Sequence, residues 1–185
     1  MAFTESTMLP LGTEAPDFAL LDTVTGKEVR LESIQSDKAT VILFTCNHCP
    51  YVLHINEELV KLSTEYMAKG VSFVAISSND AVNYPQDSPE KMKELAAEVG
   101  YPFPYLYDAT QVVAKAYAAA CTPDFYIFDG DMKLRYRGRL CASRPNTEAP
   151  VTGADLRAGI DAILAGKPVT EKQYPSAGCN IKWLK

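Results

Sequence analysis

Val41-Ile42-Leu43-Phe44-Thr45 is a short apolar run with β-branched residues at 41, 42 and 45, the pattern of a strand buried on both faces of a sheet. From Pro50 onward, Val52, Ile55, Leu59, Leu62 and Tyr66 recur every three or four residues. Glu57 and Lys61, and Glu65 and Lys69, form i,i+4 pairs on the wet side, and Gly70 ends the pattern, so a long helix follows the strand. Val71 to Ser77 reads as the next strand. Two strands separated by a helix of this length do not form a hairpin but pair in parallel, as a βαβ unit. This unit commits the chain to an α/β sheet with the 41–45 strand near its centre.

The remaining elements fit around that unit. Residues 1–14 read as a loose arm, followed by an N-terminal strand pair around Phe18 to Leu31 with a turn at Thr25-Gly26-Lys27. Ser88 as cap and Pro89 as first residue open a helix closed by Gly100. A short extended piece at 103–107 and a short helix at about 111–119 come next. Phe125 to Phe128 and Lys133 to Arg139, joined by Asp129-Gly130-Asp131, read as an antiparallel hairpin. Thr152-x-x-Asp155 is a capping-box signal for a last helix, stopped by Gly166 and Pro168, and 167–185 reads as a tail. The expected architecture is one domain over 1–185, α/β, with a mixed central sheet, helices on both faces and an N-terminal strand extension.

The chemistry is concentrated where the first strand meets its helix, at Cys46-Asn47-His48-Cys49-Pro50. Two cysteines two residues apart at such a junction can close a small disulfide, and free N–H groups at a helix start favour a thiolate. The reading is that Cys46 is the exposed, acidic, attacking thiol at the helix N-terminus, with a pKa below the ordinary value of about 8.5. Cys49, one turn inside, is expected to be more buried and less acidic. His48 adds positive charge beside Cys46. A competing reading is a zinc half-site completed by His54, Cys121 or Cys179, although no second CxxC or HxxxH accompanies it. His54 is otherwise a surface or packing residue, Cys121 a buried inert thiol or a third redox thiol, and Cys179 a tail residue able to join a second disulfide.

Other function classes are disfavoured. Eighteen basic residues against 23 acidic ones, with no basic stripe, make nucleic acid an unsuitable partner. No run is long and apolar enough for a membrane span, and the first residues lack the charge and apolar core of a signal peptide, so a cytoplasmic location is expected. Five cysteines, an odd count, do not suit a stapled secreted scaffold. Glycine-rich phosphate loops and serine nucleophile elbows are absent, and the expectation is that no organic cofactor or metal is needed.

Thr122-Pro123, ahead of the strand at Phe125, makes the pattern more specific. A CxxC followed about 75 residues later by Thr-Pro, a strand, a hairpin and a final helix resembles the thioredoxin fold, in which a cis-proline loop faces the dithiol. Leu11-Gly12-Thr13-Glu14-Ala15-Pro16-Asp17-Phe18-Ala19-Leu20 is similar to the opening of redoxin domains of the AhpC/TSA (alkyl hydroperoxide reductase and thiol-specific antioxidant) superfamily. Thr45 to Tyr51, Tyr84 to Ser88, Cys121 to Phe125, Tyr136 to Arg139 and Gly178 to Trp183 resemble its peroxiredoxin-like branch that retains a CxxC.

The resemblance implies a thiol–disulfide oxidoreductase with Cys46 and Cys49 as catalytic pair, Thr45, His48, Thr122 and Pro123 in support, and Cys121 and Cys179 as additional thiols. It implies a protein or small-molecule dithiol or disulfide as partner, from a thioredoxin or glutathione system. The chain also departs from the pattern. Counting back from either cysteine, the peroxiredoxin Pro-x-x-x-Thr-x-x-Cys is not met, which makes peroxidase activity an alternative to exchange. The buried acid that serves the second thiol in thioredoxins has no evident counterpart, since Leu43 precedes Phe44.

Overall fold

The computed structural model describes residues 3–185. In chain order its elements are β1 (Phe3–Glu5), β2 (Ala19–Asp22), β3 (Glu28–Arg30), α1 (Leu31–Ile34), β4 (Ala39–Phe44), α2 (Pro50–Met67) and β5 (Ser72–Ser77). A 3₁₀ turn (Pro85–Asp87) leads into α3 (Pro89–Val99), β6 (Tyr105–Tyr107), α4 (Val112–Ala116), β7 (Cys121–Thr122), β8 (Asp124–Asp129), β9 (Leu134–Gly138), α5 (Ala154–Leu164) and β10 (Ala177–Asn180).

Seven strands form the main sheet in the order β3-β2-β6-β5-β4-β8-β9. β4 pairs in parallel with β5 and antiparallel with β8, so the strand read as central has a partner on each side and all six of its residues are buried. Its side chains alternate between two cores. Val41 and Leu43 face the side covered by α2, α3 and α5, where Leu59, Met92 and Ile160 pack. Ile42 and Phe44 face the other side, where Leu31, Val113 and Tyr117 pack. The mixed sheet with helices on both faces is as the sequence indicated, and no helix among the described residues is long and apolar enough to cross a membrane.

Helix ends also follow the sequence. Ser88 caps α3 by accepting the Lys91 N–H, and Gly100, at φ 80°, closes it. At α5 the cap differs: Gly153 occupies the N-cap in the left-handed region, and the Thr152 hydroxyl takes the Ala154 N–H instead. Asp155, the far end of the expected capping box, turns outward to the Arg139 guanidinium at 2.6 Å.

The two ends of the chain depart most from expectation. The arm over 1–14 is not loose throughout, and the tail over 167–185 is not structureless. β1 and β10 pair antiparallel, and β10 pairs in turn with β7, making a second sheet of order β1-β10-β7. These strands are two to four residues long, too short to carry a period-two signal, and their stability comes wholly from partners more than 50 residues away. This second sheet brings the C-terminal segment against the Thr122-Pro123 turn.

Candidate active site

Register alone assembles the centre of the site. β4 and β8 run antiparallel with Phe44 opposite Asp124. The residues just beyond, Thr45-Cys46 on one side and Thr122-Pro123 on the other, therefore meet at the same sheet edge. Thr45 is buried and its N–H continues the parallel pairing onto the Ile76 carbonyl at 2.9 Å, which fixes the direction in which Cys46 leaves the sheet. The Thr122–Pro123 peptide is cis. The Thr122 hydroxyl lies 3.3 Å from the Cys46 sulfur, and its carbonyl lies 3.3 Å from the Cys49 sulfur and accepts from it when Cys49 is protonated. One threonine thus touches both members of the CxxC pair.

The two thiols are arranged differently from the sequence expectation. Helix α2 begins at Pro50, so Cys49 is its N-cap, and Cys46 lies in the turn before it. Cys46 is also 1% exposed and Cys49 0%. The pair holds one proton tightly and loses the other readily. Hydrogen bonding from the Cys46 thiol, with help from Cys179 and the Val52 N–H, lowers Cys49 to about 5. Cys46 is raised well above the ordinary range, because its thiol proton is engaged by Cys49, because it is buried, and because the Asp87 carboxylate stands beside it. The acidic member is the N-capping cysteine, where the helix N–H groups converge, and not the one in the preceding turn.

A buried carboxylate absent from the sequence reading organises that turn. Asp87 is completely buried; it accepts the Asn47 backbone N–H at 2.8 Å and the Asn79 amide at 2.8 Å, and its Oδ2 lies 2.6 Å from His48 Nδ1. Asn47 is held further by its amide on the Gln86 carbonyl at 2.9 Å and by the Tyr105 hydroxyl at 3.0 Å. The 85–87 turn therefore lies across the CxxC turn, which is why Cys46 is covered. Tyr84 stacks parallel to the His48 ring with centroids 6.0 Å apart. The ligating atoms of Cys46, His48 and Asp87 lie within 4.8 Å of one another, so these are the residues of the site that could hold a cation.

A second buried acid, Asp124, follows Pro123. Ser6 and Tyr126 hydroxyls donate to it at 2.7 and 2.9 Å, and burial, its largest influence, raises it to about 7. Of the other singled-out residues, His54 pairs through Nε2 with the Ser143 hydroxyl at 2.8 Å and serves packing between α2 and the 141–145 segment. Cys121 is buried, its sulfur 4.0 Å from the Ser176 carbonyl and its thiol pushed up by desolvation, as expected of an inert cysteine. Cys179 packs with Cys46, Cys49 and Val52 in one buried cluster.

A profile of the AhpC/TSA family matches residues 11–137, which contain β2 to β8, the CxxC turn, Asp87 and the Thr122-Pro123 loop. The chain belongs to the AhpC/TSA family. Among relatives of this family member, the thiol-disulfide oxidoreductase ResA of Geobacillus kaustophilus is 31% identical over 143 residues, 75% of each chain. The crystal structure of an uncharacterized conserved protein from Geobacillus kaustophilus is 64% identical and superposes with a TM-score of 0.98, covering 100% of this chain and 97% of that one. The thioredoxin domain of a thiol-disulfide oxidoreductase from Bacteroides vulgatus, 17% identical, shares the fold at a TM-score of 0.62 over 80% of this AhpC/TSA chain and 96% of its own.

Proposed function

We propose that the protein is a thiol–disulfide oxidoreductase whose Cys46 and Cys49 cycle between dithiol and disulfide. The observation that carries the reading is the shared Thr122 contact. A threonine from the cis-proline turn reaches both sulfurs at 3.3 Å, at a strand-to-helix junction that stabilises one thiolate. In this reaction Cys46 attacks a substrate disulfide while its proton passes to the Cys49 thiolate. One substrate sulfur leaves with a proton, and Cys49 then displaces the second by attacking the Cys46 sulfur. The single proton of the pair goes to the first leaving sulfur by way of Cys49, the second leaving sulfur takes a proton from water, the substrate is reduced, and the pair is oxidised.

Each neighbour has a role in that cycle. The Thr122 hydroxyl steadies charge on Cys46 as it attacks or leaves. The hydrogen bond to Cys49 and burial keep Cys46 protonated at rest, the Asp87 carboxylate adds to both, and Asp87 also positions Asn47 and His48. Because Cys46 is covered by the 85–87 turn, a protein substrate reaches it after that turn is displaced, whereas a small disulfide needs a smaller opening. The partner class is a protein or small-molecule dithiol, with reducing equivalents of the thioredoxin or glutathione type in a reducing compartment such as the cytoplasm, and no resident metal or organic cofactor takes part in the proposed cycle.

The test is catalysed exchange on a protein disulfide, followed as insulin reduction by dithiothreitol. Wild-type protein accelerates it, and Cys46→Ser and Cys49→Ser both remove the acceleration. Equal rates in wild type and both variants would refute the proposal.

A further inference from the structure

Cys179 lies outside the CxxC pair yet shares its sulfur cluster. In the β7–β10 pairing Cys179 stands opposite Thr122. Directly opposed residues on neighbouring strands project to the same face of a sheet, so the Cys179 side chain points where the Thr122 hydroxyl points, toward the dithiol. Gly178 shows how closely the strand approaches. A Cβ on Gly178 would lie 2.0 Å from the Thr122 carbonyl oxygen and 3.3 Å from Tyr51 Cβ, so β10 seats against the site only because this residue has no side chain. Cys179 itself is 5% exposed and packs on Cys46, Cys49 and Val52.

The electrostatics agree with that placement. Burial, followed by the neighbouring Cys49 sulfur, pushes Cys179 up to about 12, so it rests as a thiol beside the acidic Cys49. Its thiol and its backbone N–H both favour the Cys49 thiolate. Cys49 is therefore the middle sulfur of three, with Cys46 and Cys179 as its two neighbours. Cys121, the next residue along β7, is paired with Asn180 and its sulfur goes to the Ser176 carbonyl instead.

We propose that Cys179 is a third redox thiol that takes Cys49 from Cys46 by internal disulfide exchange. The proposal rests on the reading of Cys46 and Cys49 as the redox pair. In the oxidised protein the Cys179 sulfur attacks the Cys49 sulfur, the Cys46–Cys49 bond breaks, and a Cys49–Cys179 bond forms. The Cys179 proton passes to the departing Cys46 thiolate, which the Thr122 hydroxyl steadies. One disulfide replaces another, with no net oxidation. Cys46 is returned as a thiol while the oxidising equivalent is held at β10, so the attacking thiol is restored before a second dithiol reduces the protein.

The test oxidises the full chain with oxidised glutathione, quenches in denaturing acid, alkylates and identifies linked peptides by mass spectrometry. The expected result is a Cys49–Cys179 peptide in wild type, its predominance in Cys46→Ala and its complete loss in Cys179→Ala, which still forms Cys46–Cys49. The wild-type time course needs no substitution: Cys46 regains reactivity toward alkylation after the quench while Cys49 stays blocked. The proposal is overturned if wild type holds Cys46–Cys49 alone and Cys46→Ala ends as a Cys49–glutathione mixed disulfide with Cys179 reduced. A failure of the underlying pair registers separately, as Cys179→Ala that never forms Cys46–Cys49, and the relay falls with it.

Discussion

Asp124 gives the site's surroundings a pH dependence whose size follows from the structure. It is fully buried, accepts from neutral donors, the hydroxyls of Ser6 and Tyr126 and the Phe125 backbone N–H, and is raised from 3.8 to about 7. In the unfolded chain the same carboxyl ionises near its ordinary value. Between roughly pH 4 and pH 7 the folded protein keeps a proton that the unfolded chain releases, so stability is full below that window and falls as the pH rises through it. Three pKa units at about 1.4 kcal/mol each give a loss of about 4 kcal/mol across the window, with no further loss above it. Asp124→Asn removes the ionisation while keeping a polar group that both hydroxyls can meet. Urea unfolding of the two proteins from pH 4 to pH 8, with reductant present, isolates the term, since other titrating groups cancel in the difference. The asparagine variant should gain on wild type by about 4 kcal/mol from the acid end to the neutral end. Parallel stability curves would show that Asp124 is ionised in the fold already at acid pH.

Other consequences concern the dithiol. Thiolate absorbance near 240 nm should show one ionisation near pH 5 in the reduced protein, lost in Cys49→Ala and moved upward in Cys46→Ala, where the donor to Cys49 is gone; a step that survives Cys49→Ala contradicts the assignment. Asp87→Asn withdraws the negative charge that raises Cys46, so the pH profile of reaction with a small aromatic disulfide should shift to lower pH, and an unmoved profile would remove Asp87 from the site's electrostatics. Asp87→Ala should in addition cost about 3–5 kcal/mol in urea unfolding, because the half-buried Asn47 N–H and the buried Asn79 amide lose their acceptor. Thr122→Val should slow disulfide exchange about tenfold, the worth of one hydrogen bond to a charged sulfur, and Thr122→Ser should restore it.

The central βαβ unit was legible because each part carries a local signal: the apolar run at 41–45, the three-and-four spacing from Val52 to Tyr66 and the cap-proline pair Ser88-Pro89. The hairpin at 125–139 was legible for the same reason. The CxxC turn and Thr122-Pro123 were named as a pair by the resemblance to the thioredoxin fold, and strand register brings them to one edge. Which thiol is acidic could not be read, because that depends on where the first helical turn closes. Pro50 at the first helical position places the cap on Cys49, whereas the sequence reading put the helix start one turn earlier, at Cys46. Asp87 was hidden for a different reason. It belongs to a polar loop whose composition says solvent, and it is buried against the Asn47 N–H, the Asn79 amide and the His48 ring, two of them about 40 residues earlier. Asp124 and Cys179 take their roles from Ser6 and from the β7–β10 pairing, contacts over 118 and 57 residues that no local pattern reports. The resemblance did single out Tyr84 to Ser88, which contains Asp87, without giving that carboxylate a role.

The account rests on a reversible bond between Cys46 and Cys49, and a glutathione redox titration of the metal-free protein reads it directly. Samples equilibrated across glutathione ratios are quenched, alkylated and followed cysteine by cysteine in a mass spectrometer. The account predicts that in the Cys179→Ala protein, where the relay is blocked, Cys46 and Cys49 leave and regain the thiol state together in one reversible two-electron transition, while Cys121 and Cys141 stay reduced throughout. A titration in which Cys46 and Cys49 never become linked, or in which Cys121 or Cys141 oxidises first, would contradict it.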